Sequence, residues 1–215
     1  MRGLQLTSRA LALILAAMAL AAPACSNDST SSSAALVFIG TVNGTDGILS
    51  GSVVFNVDGA TVTGTFEVIS PSAATHALTG SYDAGSKVLA ASGGGYNFGG
   101  VYDGTSRMEG AMTGAATGTF VAARNNTAEA FCGTFTGDDD GISNFTIAGN
   151  TILGTATTTS GSVIPLDGTV SGTTISIANP GGGSALATGT RSGNAVSGTW
   201  DDGVSAGTWT GTRCN

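Results

Sequence analysis

Few side chains in this 215-residue chain could carry chemistry: one histidine, three cysteines and two short aspartate clusters. His76 stands alone, so a histidine-rich metal site is excluded, and neither H-E-x-x-H nor C-x-x-C occurs. A hydrolase would have to gather its serine and aspartate around His76 in space, and no nucleophile-elbow sequence marks such a serine. Asp138-Asp139-Asp140-Gly141 and Asp201-Asp202-Gly203 could offer carboxylates to Ca²⁺, but they lack the D-x-D-x-D-G spacing and read as hairpin tips. Gly93-Gly94-Gly95 and Gly181-Gly182-Gly183 precede no helix, so they read as strand connections rather than phosphate loops. The reading is of a non-enzyme with no catalytic residue, no metal site and no cofactor.

The elements that would position these residues are strands. Glycine supplies 35 of the 215 residues and only 10% are charged. No window after Ala35 has helical periodicity, and glycine this dense penalises helices. Apolar residues instead alternate with glycine on one face, as in Val62/Gly64/Phe66, Leu78/Gly80/Tyr82, Phe98/Gly100/Tyr102, Met108/Gly110/Met112 and Val196/Gly198/Trp200. In this register all aromatic residues fall on the same face. Turn pairs such as Asp58-Gly59, Asp103-Gly104, Asp140-Gly141, Gly149-Asn150, Gly193-Asn194 and Asp202-Gly203 separate the strands. The class is all-β.

The pattern occurs twice, offset by about ninety residues. Phe38-Ile39-Gly40-Thr41 matches Phe131-Cys132-Gly133-Thr134, Thr63-Gly64-Thr65 matches Leu153-Gly154-Thr155, and Leu78-Thr79-Gly80-Ser81 matches Leu166-Asp167-Gly168-Thr169. Each copy divides into about eight short strands, the fourth of the second copy spanning Ile164–Val170. The expectation is two tandem antiparallel units, 36–124 and 131–215, joined by a linker at 125–130 and closed as small up-and-down barrels. The alternatives are one larger barrel or a β-sandwich made by both units; a parallel β-helix would repeat far more often.

In the first strand of the second unit Phe131, Gly133 and Phe135 share a face, opposite Cys132. In its last strand Trp209 lies opposite Cys214. Both cysteines therefore lie on the threonine face. If first and last strands pair, their spacing suits a disulfide.

Arg2 and Arg9 lead into an apolar run, Ala10 to Ala22, too short to span a bilayer. It ends in Ala22-Pro23-Ala24-Cys25, which resembles the lipobox of bacterial lipoproteins, with Ala22 where leucine is usual. The same residues fit an ordinary A-x-A cleavage site. The resemblance implies a signal peptide at 1–24, lipid on Cys25, and a serine-rich tether over 25–35. It also implies anchoring to the bacterial outer membrane on its periplasmic or surface face, since Ser26 would not act as an inner-membrane retention signal. Lipidation would consume Cys25 and leave Cys132 and Cys214 to pair. Loss of Arg2 and Arg9 leaves five basic residues against fourteen acidic ones, a net charge near −9 that argues against nucleic acid and anionic head groups.

The expected function is a cell-envelope lipoprotein acting as a non-catalytic structural or interaction module, with an envelope or surface protein as partner. Residues Ala128–Phe135 resemble the barrel domains of surface lipoproteins that bind host proteins, over that short phrase alone. The alternative is a lipocalin-like carrier of a small apolar ligand in the first barrel. Its candidate binding residues are His76, Tyr82, Tyr96 and Tyr102, which share an inward face, although lipocalin sequence motifs are absent.

Overall fold

The computed structural model describes residues 35–180 and 182–215. The signal-peptide, Cys25 and tether readings, apart from Ala35, and Gly181 lie outside the described residues. The first unit contains β1 (Leu36–Gly44), β2 (Ser50–Asp58), β3 (Thr61–Ser70), β4 (Ala74–Asp83), β5 (Val88–Gly93), β6 (Tyr96–Tyr102), β7 (Arg107–Gly114) and β8 (Gly118–Arg124). Each pairs antiparallel with the next, and β8 pairs with β1 to close a barrel. The second unit contains β9 (Glu129–Gly137), β10 (Gly141–Ala148), β11 (Thr151–Thr158), β12 (Val163–Pro165), β13 (Gly168–Ser171), β14 (Thr174–Ile177), β15 (Ala187–Ser192), β16 (Ala195–Asp201) and β17 (Ala206–Arg213). It closes in the same way through β17 and β9. The described residues thus form two eight-stranded up-and-down barrels in tandem, with β12 and β13 together taking the place of one strand.

The strand expected over Ile164–Val170 is interrupted. β12 and β13 hold one common register on β11, but regular pairing lapses over Leu166 and Asp167. Pro165 has no N–H for the ladder, and the Asp167 side chain is drawn to Arg107 of the first barrel at 2.6 Å. A second correction concerns Asp140-Gly141. Gly141 opens β10, whereas Gly59, Gly104, Gly149, Gly193 and Gly203 take the left-handed turn conformation.

All thirteen aromatic rings point into one barrel or the other. The in-phase glycines make this possible. A Cβ at Gly100 would stand 2.5 Å from the Phe120 ring, so the ring lies on bare backbone. A Cβ at Gly110 would meet the Gly99 carbonyl and the Gly100 Cα, so the neighbouring strand occupies that space. Gly110→Ala is therefore expected to cost about 2–3 kcal/mol by forcing two strands apart. Gly99→Ala, whose new methyl meets nothing within 4 Å, should be neutral or slightly stabilising. Urea unfolding of the two variants separates these outcomes.

One outer sector of each barrel is not solvated. β1, β2 and β8 pack on β9, β10 and β11. Ile39, Val121 and Ala123 of the first barrel form one buried cluster with Ala128, Ala130, Cys132, Leu153 and Cys214. Cys132 and Cys214 are joined, with Cα atoms 5.8 Å apart. They sit diagonally across β9 and β17: Thr212 faces Cys132, and the Cys214 N–H donates to the Ala130 carbonyl. The bond lies on the outer face of its own barrel and is covered by the other. Asn144 is the polar centre of the interface and is fully buried. Its carboxamide nitrogen donates to the Val42 carbonyl at 3.0 Å and to Ser50 Oγ at 2.8 Å, and its oxygen accepts the Gly133 N–H at 3.0 Å. The Asn43 amide donates across to the Thr155 carbonyl at 2.8 Å.

Candidate functional site

The structure places the four residues expected to bind a ligand at two opposite ends of the first barrel. β4 and β6 run parallel on either side of β5, so His76 and Tyr96 share one end while Tyr82 and Tyr102 share the other. His76 packs on Tyr96 and Phe66, with centroids 5.3 and 6.2 Å away. The Tyr102 hydroxyl donates to the Thr105 carbonyl and accepts from Arg124, both at 2.9 Å. Between the two ends, Phe55, Phe66, Phe98 and Phe120 fill the barrel edge to face, with centroids 5.2–5.8 Å apart. These rings leave the four residues no common space.

The open interior belongs to the second barrel. A cavity of about 300 Å³ opens at one end, walled by Phe135, Ile164, Leu166, Ile177, Leu186, Trp200 and Trp209. The registers explain its origin. Phe66 faces His76 across β3–β4, and Ala156 faces Ile164 across β11–β12. Phe98 faces Met112 across β6–β7, and Ala187 faces Trp200 across β15–β16. Val53 faces Gly40, and Ser143 faces Gly133. Where the first barrel has two phenylalanines and a valine, the second has two alanines and a serine. Phe135 and Trp200, standing where the first has Val42 and Met112, refill only part of that volume. Such a void keeps its apolar walls without their contact partners, so it is the candidate ligand space of this fold.

The two ends of this barrel carry opposite charge. At the mouth stand Asp139 and Asp202, with Ser143 and Ser205. The Asp202 carboxylate accepts the backbone N–H groups of Ser205 and Val204 at 2.7 and 2.9 Å, which hold its pKa below the usual carboxylate value. At the far end Arg191 points inward over the Phe131 ring, 5.4 Å from its centroid, in the place that Tyr102 takes on Phe38. Arg191 and Arg213 both pair with Glu129, at 2.6 and 2.8 Å.

Among the described residues no group of three His, Cys, Asp or Glu side chains converges as a metal site. The aspartate clusters act as turn caps as well as rim charges: Asp138 accepts the Ala206 N–H, and Asp201 accepts the Gly203 N–H. No protein-family model matches this chain, and no curated protein matches it.

The cavity was open to sequence reasoning. The offset of ninety that aligns Gly64 with Gly154 also aligns Phe66 with Ala156. Asking which ring of one copy is missing from the other identifies it. Arg191 was harder to find, because a charged residue at an inward position contradicts the apolar pattern that sets the register.

Proposed function

We propose that this chain is an exported, non-catalytic binding protein that carries a small apolar molecule in the mouth of its second barrel. The first barrel is the filled scaffold against which the second is held. The observation that carries this reading is the cavity of about 300 Å³ left by Ala156 and Ala187 where the first copy has Phe66 and Phe98. Its size lies at the small end of the range for ligand sites. The lipobox-like Ala22-Pro23-Ala24-Cys25 supports attachment to the outer membrane through lipid on Cys25. The Cys132–Cys214 bond supports it too, because that bond uses the other two cysteines.

The test uses the protein's own chromophores. Trp200 and Trp209 are its two tryptophans, and both border the cavity. Titration with 3-phenylpropan-1-ol should change tryptophan emission saturably. The double variant Ala156→Phe/Ala187→Phe installs the first barrel's own rings. It should abolish that change while holding or raising the unfolding midpoint, because it fills a void. A flat titration, together with a native mass spectrum of the membrane-extracted protein showing nothing bound, would sink the binding reading. The denatured mass reports the lipid on Cys25 separately.

A further inference from the structure

We infer that the molecule held in the second barrel is an amphipathic cation: an apolar body in the cavity with a single ammonium or amine group at the mouth. This rests on the binding reading above and adds the ligand's charge.

The placement of charge over the described residues carries the inference. Asp139 and Asp202 line the mouth, and Asp138, Asp140 and Asp201 lie beside them in the same two hairpin tips. The chain has seven basic residues, of which Arg2 and Arg9 lie outside the described residues. The other five are placed away from this mouth. Lys87 and Arg124 belong to the first barrel, where Arg124 bonds Tyr102. Arg107 is paired with Asp167 and Glu109. Arg191 and Arg213 are tied to Glu129 at the opposite end. An anion entering the mouth would meet carboxylates with no compensating cation beside it among the described residues, whereas a cation would meet charges held ready for it.

The wall chemistry points the same way. Trp200 stands at the mouth with its indole N–H committed to the Thr136 carbonyl at 3.2 Å, and Phe135 lies edge-on to it at 5.8 Å. That hydrogen bond fixes the ring and gives an ammonium group an aromatic surface next to the carboxylates. The inner wall of Ile164, Leu166 and Ile177 offers no charged partner, so a second charge on the guest would be buried unpaired.

The experiment is a titration of the intact protein with three probes sharing one body: 3-phenylpropyl-trimethylammonium, 3-phenylpropan-1-ol and 3-phenylpropionate. Tryptophan emission is read at low salt. The cation is expected to bind roughly tenfold more tightly than the alcohol, and the carboxylate more weakly than either. The preference should shrink in high salt. Asp139→Asn/Asp202→Asn, which keeps side-chain acceptors for the turns, should bring the cation-to-alcohol ratio to within about twofold. If the alcohol or the carboxylate binds as tightly as the cation, or if the double variant keeps the preference, the charge assignment is overturned and the binding reading stands. If none of the three probes gives a saturable signal, the charge assignment falls, and the binding reading falls with it when the native mass spectrum also shows nothing bound.

Discussion

Replacing both Cys132 and Cys214 by alanine is expected to remove about 4–5 kcal/mol from the stability of the second barrel. The two residues lie 82 positions apart, so the bond closes a loop that holds nearly the whole unit, and a loop of that length gives roughly this value in the chain-entropy account. The disulfide also sits at the contact of first and last strands. Opening it frees β17, the strand whose pairing with β9 closes the barrel. Both cysteines are buried against Ile39, Val121 and Ala123, so alanine leaves a small void between the barrels as well. Urea unfolding of the double variant should show the loss as a lower midpoint. Wild type under strong reductant should shift in the same direction. A change below about 1 kcal/mol would mean that the ladder and the neighbouring barrel hold β17 without the covalent link.

The second large effect is expected at Asn144. Asn144→Ala removes one side chain and with it the hydrogen bonds to the Gly133 N–H, the Val42 carbonyl and the Ser50 hydroxyl. All lie at an interface where Asn144 itself is wholly inaccessible to water. Each lost hydrogen bond is worth about 1 kcal/mol, so the three together bring the expected total to about 3 kcal/mol. For a folded body of this size that is a fall of roughly 6–12 °C in Tm, read by calorimetry. Asn144→Asp should be worse. It cannot donate to Val42, and it places a carboxylate where no cation waits. If the two barrels unfold in separate steps in the Asn144→Ala variant and in one step in the wild type, the residue couples them as well as stabilising them.

Much of the fold was legible in the sequence because glycine and aromatics mark the same face. A glycine in phase with Phe66, Phe98 or Phe120 fixes which way a strand faces, and the repeat fixes how many strands there are. The disulfide was legible for a related reason: two cysteines on the outer face of the first and last strands meet only if the unit closes. The interface between the barrels was hidden. Thr41, Ser50, Ser52, Thr146, Thr155 and Thr157 are buried there, yet they are the same residue types as the exposed Thr188, Thr199 and Thr208. A small hydroxyl side chain suits a solvated strand and a close contact between sheets equally well. Periodicity reports which face is outward, and it says nothing about what covers that face. Sequence alone points to the polar aromatics of the first unit, His76, Tyr82, Tyr96 and Tyr102, as candidate ligand contacts, because those are the side chains with functional groups. The cavity depends on small residues, Ala156, Ala187 and Ser143, and a missing ring is visible only against the copy that has it.

Closure has one further consequence, for how copies of this protein behave when crowded. Strands rich in threonine, valine and glycine and poor in charge are the material from which cross-β stacks grow, and such growth starts at an unpaired sheet edge. Here β1 is joined to β8 and β9 to β17, so neither sheet ends in a long open strand, and the short β12 lies against β11. Among the described residues a neighbouring copy finds no long template to extend. Copies can therefore be crowded together with few charged residues, because closure does what repulsion would otherwise have to do.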